Sequence, residues 1–220
     1  MPSKPITKGY KVFALCDVSY TYSWMFASRA NSCVGLILQE DLTPIGSTVF
    51  QLATSLPYSS GLHFNIYMDN YFPLLSLPTK LWSLGIGGCG TAQVNTRVFP
   101  VQLHDEQKGI LWNEILEGPV GQGSKVLGVQ WQENSAIHFL TTIYSLDERV
   151  IVEHKKPRMS SSNDPAIRRV FSPAERSNVA IPVITNNYNR YKVGVDITDQ
   201  YRSYYFTLLK CLRNWPPIFY

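Results

Sequence analysis

Four aspartates, Asp17, Asp69, Asp196 and Asp199, are the residues of this 220-residue chain whose types and positions could do chemistry. Asp17 and Asp69 each close a short apolar run, and Asp196 and Asp199 stand three apart where a helix would begin. Carboxylates are hard oxygen ligands suited to Mg2+ or Mn2+. Two such ions about 4 Å apart can clamp the attacking and leaving oxygens of an in-line phosphoryl displacement. Residues i and i+3 share one face of a helix, and a helix N-terminus helps to hold negative charge. Neighbouring strands bring their ends together, so one sheet would gather Asp17 and Asp69 although they stand 52 positions apart. Taken singly, an Asp after a strand is ordinarily a turn former and an Asp at a helix start a cap. Spacing does not choose between these roles, and two carboxylates would also serve a glycosidase.

The elements that must position these acids are legible in part. Residues 11–17, mostly apolar, and 20–28, rich in Tyr, Thr, Trp and Phe, predict two strands paired as a hairpin. Ile45, Val49, Leu52, Ala53 and Leu56 recur at spacings of three and four behind Pro44, which predicts an amphipathic helix with proline in its first turn. His63 to Met68 predicts a second strand that runs into an acid. Leu74 to Leu84 predicts a helix, and the run Gly85 to Gly90 is expected to lead into a short strand near Thr91. Gly85, Gly87 and Gly90 match the spacing of a dinucleotide-binding turn, but that motif needs a strand before it and a helix after it, the reverse of the order here.

Beyond about Asn95 the character turns β-rich, with runs at 125–132, 136–145 and 150–156, and a polar loop is expected at 159–165. Ser172-Pro173-Ala174-Glu175 has the form of a capping box and predicts the start of a short helix. Gly194 to Leu212 reads as helical, ended by Pro216-Pro217.

Apolar residues make up 45% of the chain, enough for a buried core, and no apolar run approaches the roughly 20 residues of a membrane span. Met-Pro-Ser-Lys-Pro is followed by no apolar h-region, so no secretory signal is expected. Cys16, Cys33, Cys89 and Cys211 form no Cys-x-x-Cys pair, so buried free thiols are expected and no zinc site. Charge is uneven: residues 1–145 carry 8 basic and 9 acidic side chains, residues 146–220 carry 12 and 7. That shift suits a polyanion, or simply a solvated basic surface. Lys155, Lys156, Arg158, Arg168, Arg169 and Arg176 are the candidate contacts to a DNA backbone. Tyr201, Tyr204, Tyr205 and Phe206 lie among Arg202, Lys210 and Arg213; core packing is expected of these aromatics, with stacking on bases the other role. His63, His104, His138 and His154 share no ligand spacing and are read as structural.

The words around the acids resemble the transposase domain of piggyBac elements and of host proteins derived from them. Gly9 to Asp17 resembles the family's first strand and its leading catalytic Asp. Tyr67-Met-Asp-Asn-Tyr-Phe72 is similar to the segment with the second. Cys89-Gly-Thr91 with Asn95, Arg97 and Pro100 resembles the family's next strand end, and Trp131 with 137–143 resembles a strand pair of the inserted domain. Tyr188-Asn189 and Gly194-Val-Asp-Ile-Thr-Asp-Gln200 resemble the last block, so Asp196 and Asp199 inherit the roles of the third acid and its neighbour. Thr21, Pro73 and Val193 depart from the family's common residues.

The resemblance implies an α/β fold, an RNase H-like mixed five-stranded sheet flanked by helices, with an inserted β-rich subdomain. On that pattern residues 1–94 begin the catalytic core, 95–187 form the insertion, and 188–220 carry the acid-bearing helix. It implies metal-dependent DNA cleavage and strand transfer at transposon ends with TTAA targets, a two-metal Mg2+ or Mn2+ site on Asp17, Asp69, Asp196 and Asp199, DNA as partner, and a nuclear location. The family's N-terminal DNA-binding and dimerisation region and its Cys-rich tail have no counterpart in this sequence, so any homodimer would form through those regions. A truncated or host-adopted derivative that binds DNA or a protein without cleaving stands as the other reading.

Overall fold

The computed structural model describes residues 11–18, 20–28, 32–69, 76–93, 99–100, 103, 110–120, 124–145, 147–157 and 164–204. The chain divides into two units, residues 1–57 with 191–220 and residues 58–190.

In the first unit, β1 (Val12–Asp17), β2 (Tyr20–Ser28) and β3 (Ser32–Cys33) form an antiparallel sheet in the order β1-β2-β3. A two-residue connection turns β1 into β2, with Asp17 opposite Tyr20. An irregularity in register at Leu15/Cys16 leaves Tyr22 without an opposite residue. Helix α1 (Pro44–Ala53) covers one face through Val49, Leu52 and Ala53. Thr43 caps it by accepting from Gly46 N at 3.2 Å, and Pro44 occupies the first turn, as the sequence predicts. Thr48 Oγ1 lies 3.5 Å from Cys33 Sγ on β3. Helix α5 (Gly194–Tyr204), the last helix among the described residues, packs on β1 and β2.

The second unit is built on a mixed five-stranded sheet of β4 (Phe64–Met68), β5 (Ile86–Thr91), β6 (Ile115–Pro119), β7 (Leu127–Gln132) and β8 (Ala136–Thr141), in the order β4-β5-β8-β7-β6. Only β4 and β5 run parallel. The link between them is helix α2 (Ser76–Ser83), as a parallel pair requires. Leu77 and Leu81 of α2 are fully buried. Gly85, at φ 74°, ends that helix in the left-handed conformation and donates to Trp82 O.

The glycine run is not a lead-in to a strand; it is the strand. A Cβ on Gly87 would collide with Asn65 Oδ1 and come within 2.7 Å of Ile143 Cγ1, and one on Gly90 would lie 3.0 Å from Met68 O. Close approach of neighbouring backbone and side chains, not turn geometry, requires these glycines.

Strand β9 (Arg149–Lys155) pairs with β10 (Arg176–Pro182) in a separate antiparallel ribbon. Helix α3 (Asp164–Phe171) stands between them in sequence and buries Ile167 and Phe171 with Val179, Ile181, Trp112 and Trp131. The helix expected to start at Ser172 is therefore corrected: Arg176 onward is strand, because its pairing with β9 outweighs a local capping signal. The polar stretch to Pro165 likewise enters helix at Asp164. Helix α4 (Val183–Tyr191), which no sequence signal announced, lays Ile184 and Tyr188 on Cys89, Val129 and Phe139. Helices thus flank the five-stranded sheet, α2 on one face and α4 on the other.

Strand β5, which ends at Thr91, is bonded to β8, so this sheet takes strands from both sides of position 94. Contrary to the expectation of one sheet, β1 and β4 belong to different sheets among the described residues. Strand pairing therefore does not gather Asp17 and Asp69. Among the described residues no helix is long and apolar enough to cross a membrane.

Candidate functional site

Asp17 ends β1 and is exposed, and its Oδ1 accepts from Val18 N at 2.7 Å, so half of the carboxylate shapes the turn while the other oxygen is left for other contacts. Asp196 stands in the first turn of α5 and Asp199 one turn on; Asp196 is exposed and Asp199 accompanies it on the same face of the helix. The seat of that helix is specific. Gly194 lies so close to the end of β1 that a Cβ there would be 3.3 Å from both Cys16 O and Asp17 O. Thr198 Oγ1 donates to Gly194 O at 3.0 Å, which ties the first turn together. Asp17 and the helix of Asp196 and Asp199 are thereby brought together in one unit.

Asp69 follows β4 directly and is exposed. It belongs to the other unit, and its charge is felt by Tyr188 of α4. Tyr188, buried, reaches Thr91 Oγ1 with its hydroxyl at 3.3 Å. Burial pushes the Tyr188 phenol above its ordinary value; the Thr91 hydrogen bond opposes that rise, and the nearby charges of Asp69 and Cys89 add to it. Asn187, one residue earlier, donates to Tyr144 Oη at 3.0 Å, and Tyr144 is hydrogen-bonded to Tyr67 Oη. Cys89 beneath Tyr188 is a buried thiol whose pKa burial pushes up to about 12, against a hydrogen bond with Thr141. Such a thiol is inert packing. Cys33 is also buried, Cys16 is half-buried, and Cys211 lies outside the described residues.

Each of the four carboxylates is exposed and is by its chemistry a ligand for a hard divalent ion, and Asp196 stands at a helix N-terminus. Among the described residues no three His, Cys, Asp or Glu side chains are gathered closely enough to hold one.

Of the basic candidates, Lys155 ends β9 and is exposed, Lys156 follows it, and Arg168 and Arg169 lie on α3. Arg176 is paired with Glu153 at 2.7 Å, both exposed. Arg158 lies outside the described residues, as do His104, Tyr205, Phe206, Lys210 and Arg213. Core packing does not hold for Tyr201 and Tyr204, which are 48% and 77% exposed. His154 sits against Trp112 and Phe171, and His138 is buried on β8 beside Phe99, both structural positions.

The profile of a protein family described as Transposase IS4 matches residues 1–220. The chain belongs to this transposase family. A solved structure, the cryo-EM structure of a piggyBac transposase synaptic complex with hairpin DNA, superposes with a TM-score of 0.60 at 20% identity. The match covers 92% of this transposase-family chain and 36% of that one, and it shows the shared fold. No curated protein sequence matches the chain.

The sequence pattern alone did not mark Thr91 and Tyr188 as neighbours of Asp69. The signal that could have found them is register. Met68 pairs with Gly90, so the register carried one step further lines Asp69 up with Thr91.

Proposed function

We propose that this chain is the RNase H-like core of a piggyBac-like transposase that cleaves DNA and transfers strands at transposon ends, with TTAA targets. The observation that carries the reading is the seating of α5 on the end of β1 through Gly194, which sets Asp196 in a first helical turn against the strand that ends in Asp17. Membership of a transposase family and the shared fold support it.

On this reading Asp17, Asp69 and Asp196 would hold Mg2+ or Mn2+, and Asp199 would support them. The ions, when bound, would supply charge neutralisation at the scissile phosphate and a nucleophile activated at neutral pH. The carboxylates orient the attacking oxygen, first of water and then of a DNA 3′-hydroxyl, in line with the leaving 3′-oxygen. Lys155, Lys156, Arg158, Arg168 and Arg169 contribute sequence-independent contacts to phosphates. DNA, as transposon end and as target, is the partner, and the nucleus is the place of action.

The test is nicking of a supercoiled plasmid bearing TTAA, with Mg2+ or Mn2+. Asp69→Ala, Asp17→Ala and Asp196→Ala should each abolish it. Full nicking by Asp69→Ala would remove Asp69 from the site. The second reading is a truncated or host-adopted derivative that binds DNA or a protein partner without cleavage. Calorimetric titration with Mn2+ separates the two, since only a formed carboxylate site takes up heat-producing metal at stoichiometric ratio.

A further inference from the structure

Asp69 lies one residue past the last bonded pair of β4 and β5, Met68 with Gly90. The strand ladder has ended where this residue stands. The surroundings of that point are ordered by other means. Side chains alternate along a strand, so Tyr67 and Asp69 share a face of the sheet, and Cys89 and Thr91 share the same one. Tyr67 and Cys89 pack in the cluster beneath α4, which identifies this as the α4 face, whereas Gly88 meets Met68 and Leu81 of α2 on the opposite face.

Tyr188 is the residue of α4 that reaches the strand ends on this face. Its ring is 6% exposed and set edge-on to Phe139 at 5.4 Å, so its hydroxyl has a fixed location. That hydroxyl meets Thr91 Oγ1 at 3.3 Å, beside the position Asp69 takes in register. Asn187, bonded to Tyr144, holds the same turn of α4 against the sheet. Two hydroxyls bonded to one another thus stand beside the register position of Asp69, one step beyond its ladder.

We propose that the Tyr188–Thr91 hydroxyl pair positions the Asp69 carboxylate, by offering a hydrogen-bond donor that selects one side-chain rotamer at the end of β4. Tyr188 and Thr91 are positioning residues and touch no reacting atom. The inference rests on the reading of Asp69 as a working carboxylate, but the arrangement exists in the chain without metal or DNA and is measurable there.

The experiment reads the Asp69 χ1 rotamer from three-bond N–Cγ and C′–Cγ couplings in the 220-residue chain. Wild type should show a single rotamer. Tyr188→Phe and Thr91→Val, which keep ring and shape but lose a hydroxyl, should both shift the couplings to averaged values, and Thr91→Ser should restore the wild-type pattern. Unchanged couplings in both hydroxyl-free variants would overturn the inference, as would averaged couplings in the wild type. In parallel, Mn2+ affinity by paramagnetic titration should fall about tenfold in Tyr188→Phe, the usual scale for losing a group that orients a metal ligand. An Asp69→Asn variant that binds Mn2+ like wild type would instead remove Asp69 from the proposed metal site, an outcome separate from the coupling result.

Discussion

A Cβ placed on Gly194 would lie 3.3 Å from the carbonyl oxygen of Asp17, a separation tighter than side chains ordinarily tolerate against backbone. Gly194 begins the helix that carries Asp196, and Asp17 ends the strand beneath it. Alanine at position 194 would gain up to about 1 kcal/mol in helix propensity. Overpacking against backbone atoms that cannot rotate away costs about 1–3 kcal/mol. The second effect wins, so Gly194→Ala should lower stability by about 1 kcal/mol and tilt the first turn of α5 off β1. Denaturant unfolding checks the sign, and an unchanged midpoint would show that the strand gives way.

That relationship explains why some elements were legible in the sequence and others were not. Strands β1, β2 and β4 and helix α1 could be read because alternation, Pro44 and the acids at strand ends are local signals. The glycines of β5 were misread because their reason is Asn65, Ile143 and Met68 on other segments. Helix α4 opens with Val183, Ile184 and Thr185, β-branched residues of modest helix propensity. Its stability comes from Ile184 and Tyr188, four residues apart, buried on the sheet. The candidate acids are marked by the words around them, while the hydroxyls near the register position of Asp69 depend on a strand register and a helix that no local pattern announces.

The basic residues make a salt-dependent prediction. Lys155 at the end of β9 is exposed, Arg168 and Arg169 lie on α3, and α3 packs on β10, the partner of β9. Replacing Lys155, Lys156, Arg168 and Arg169 by Glu should weaken binding to DNA of any sequence. The slope of log affinity against log salt should become shallower by about 0.9 for each phosphate no longer neutralised. Arg176→Ala should change the slope less, since that guanidinium is already paired with Glu153 at 2.7 Å. Fluorescence anisotropy across a salt series reads both, and parallel lines for wild type and the fourfold variant would exclude this surface from the interface.

Cys89 sets a pH dependence with a definite sign. In the folded chain burial raises its thiol to about 12, whereas in the unfolded chain a cysteine titrates near its ordinary value, about 8.5. Between those values the folded state keeps a proton that the unfolded state has released, so this contribution to stability is whole below the lower value and is lost as pH rises toward the upper. Its slope is about 1.4 kcal/mol per pH unit within the window. Other groups titrate there too, so the informative quantity is the difference between wild type and Cys89→Ala. The variant should be less stable at pH 7, through the cavity it leaves, and the gap should narrow as pH climbs above about 9. A gap independent of pH would mean that the thiol is not held protonated.

Gln130 poses the opposite question, a polar group where the surroundings are apolar. It is fully buried on β7, and neither its Oε1 nor its Nε2 has a hydrogen-bond partner among the described residues. It stands opposite His138 on β8, on the face where Gly128 meets Pro100 and where Leu140 and Phe99 belong to the core. An unsatisfied buried amide costs about 1–3 kcal/mol, while an apolar group of similar shape carries no such penalty. Gln130→Met should therefore raise stability by about 1 kcal/mol, or Tm by about 2–4 °C for a chain of this size. Gln130→Glu, nearly the same shape, would bring a carboxyl into that core and should lower stability, more so above the pH at which it must ionise. Calorimetric melting of the three proteins decides the matter, and a fall in Tm of several degrees in the Met variant would show that the amide has partners worth more than its burial costs.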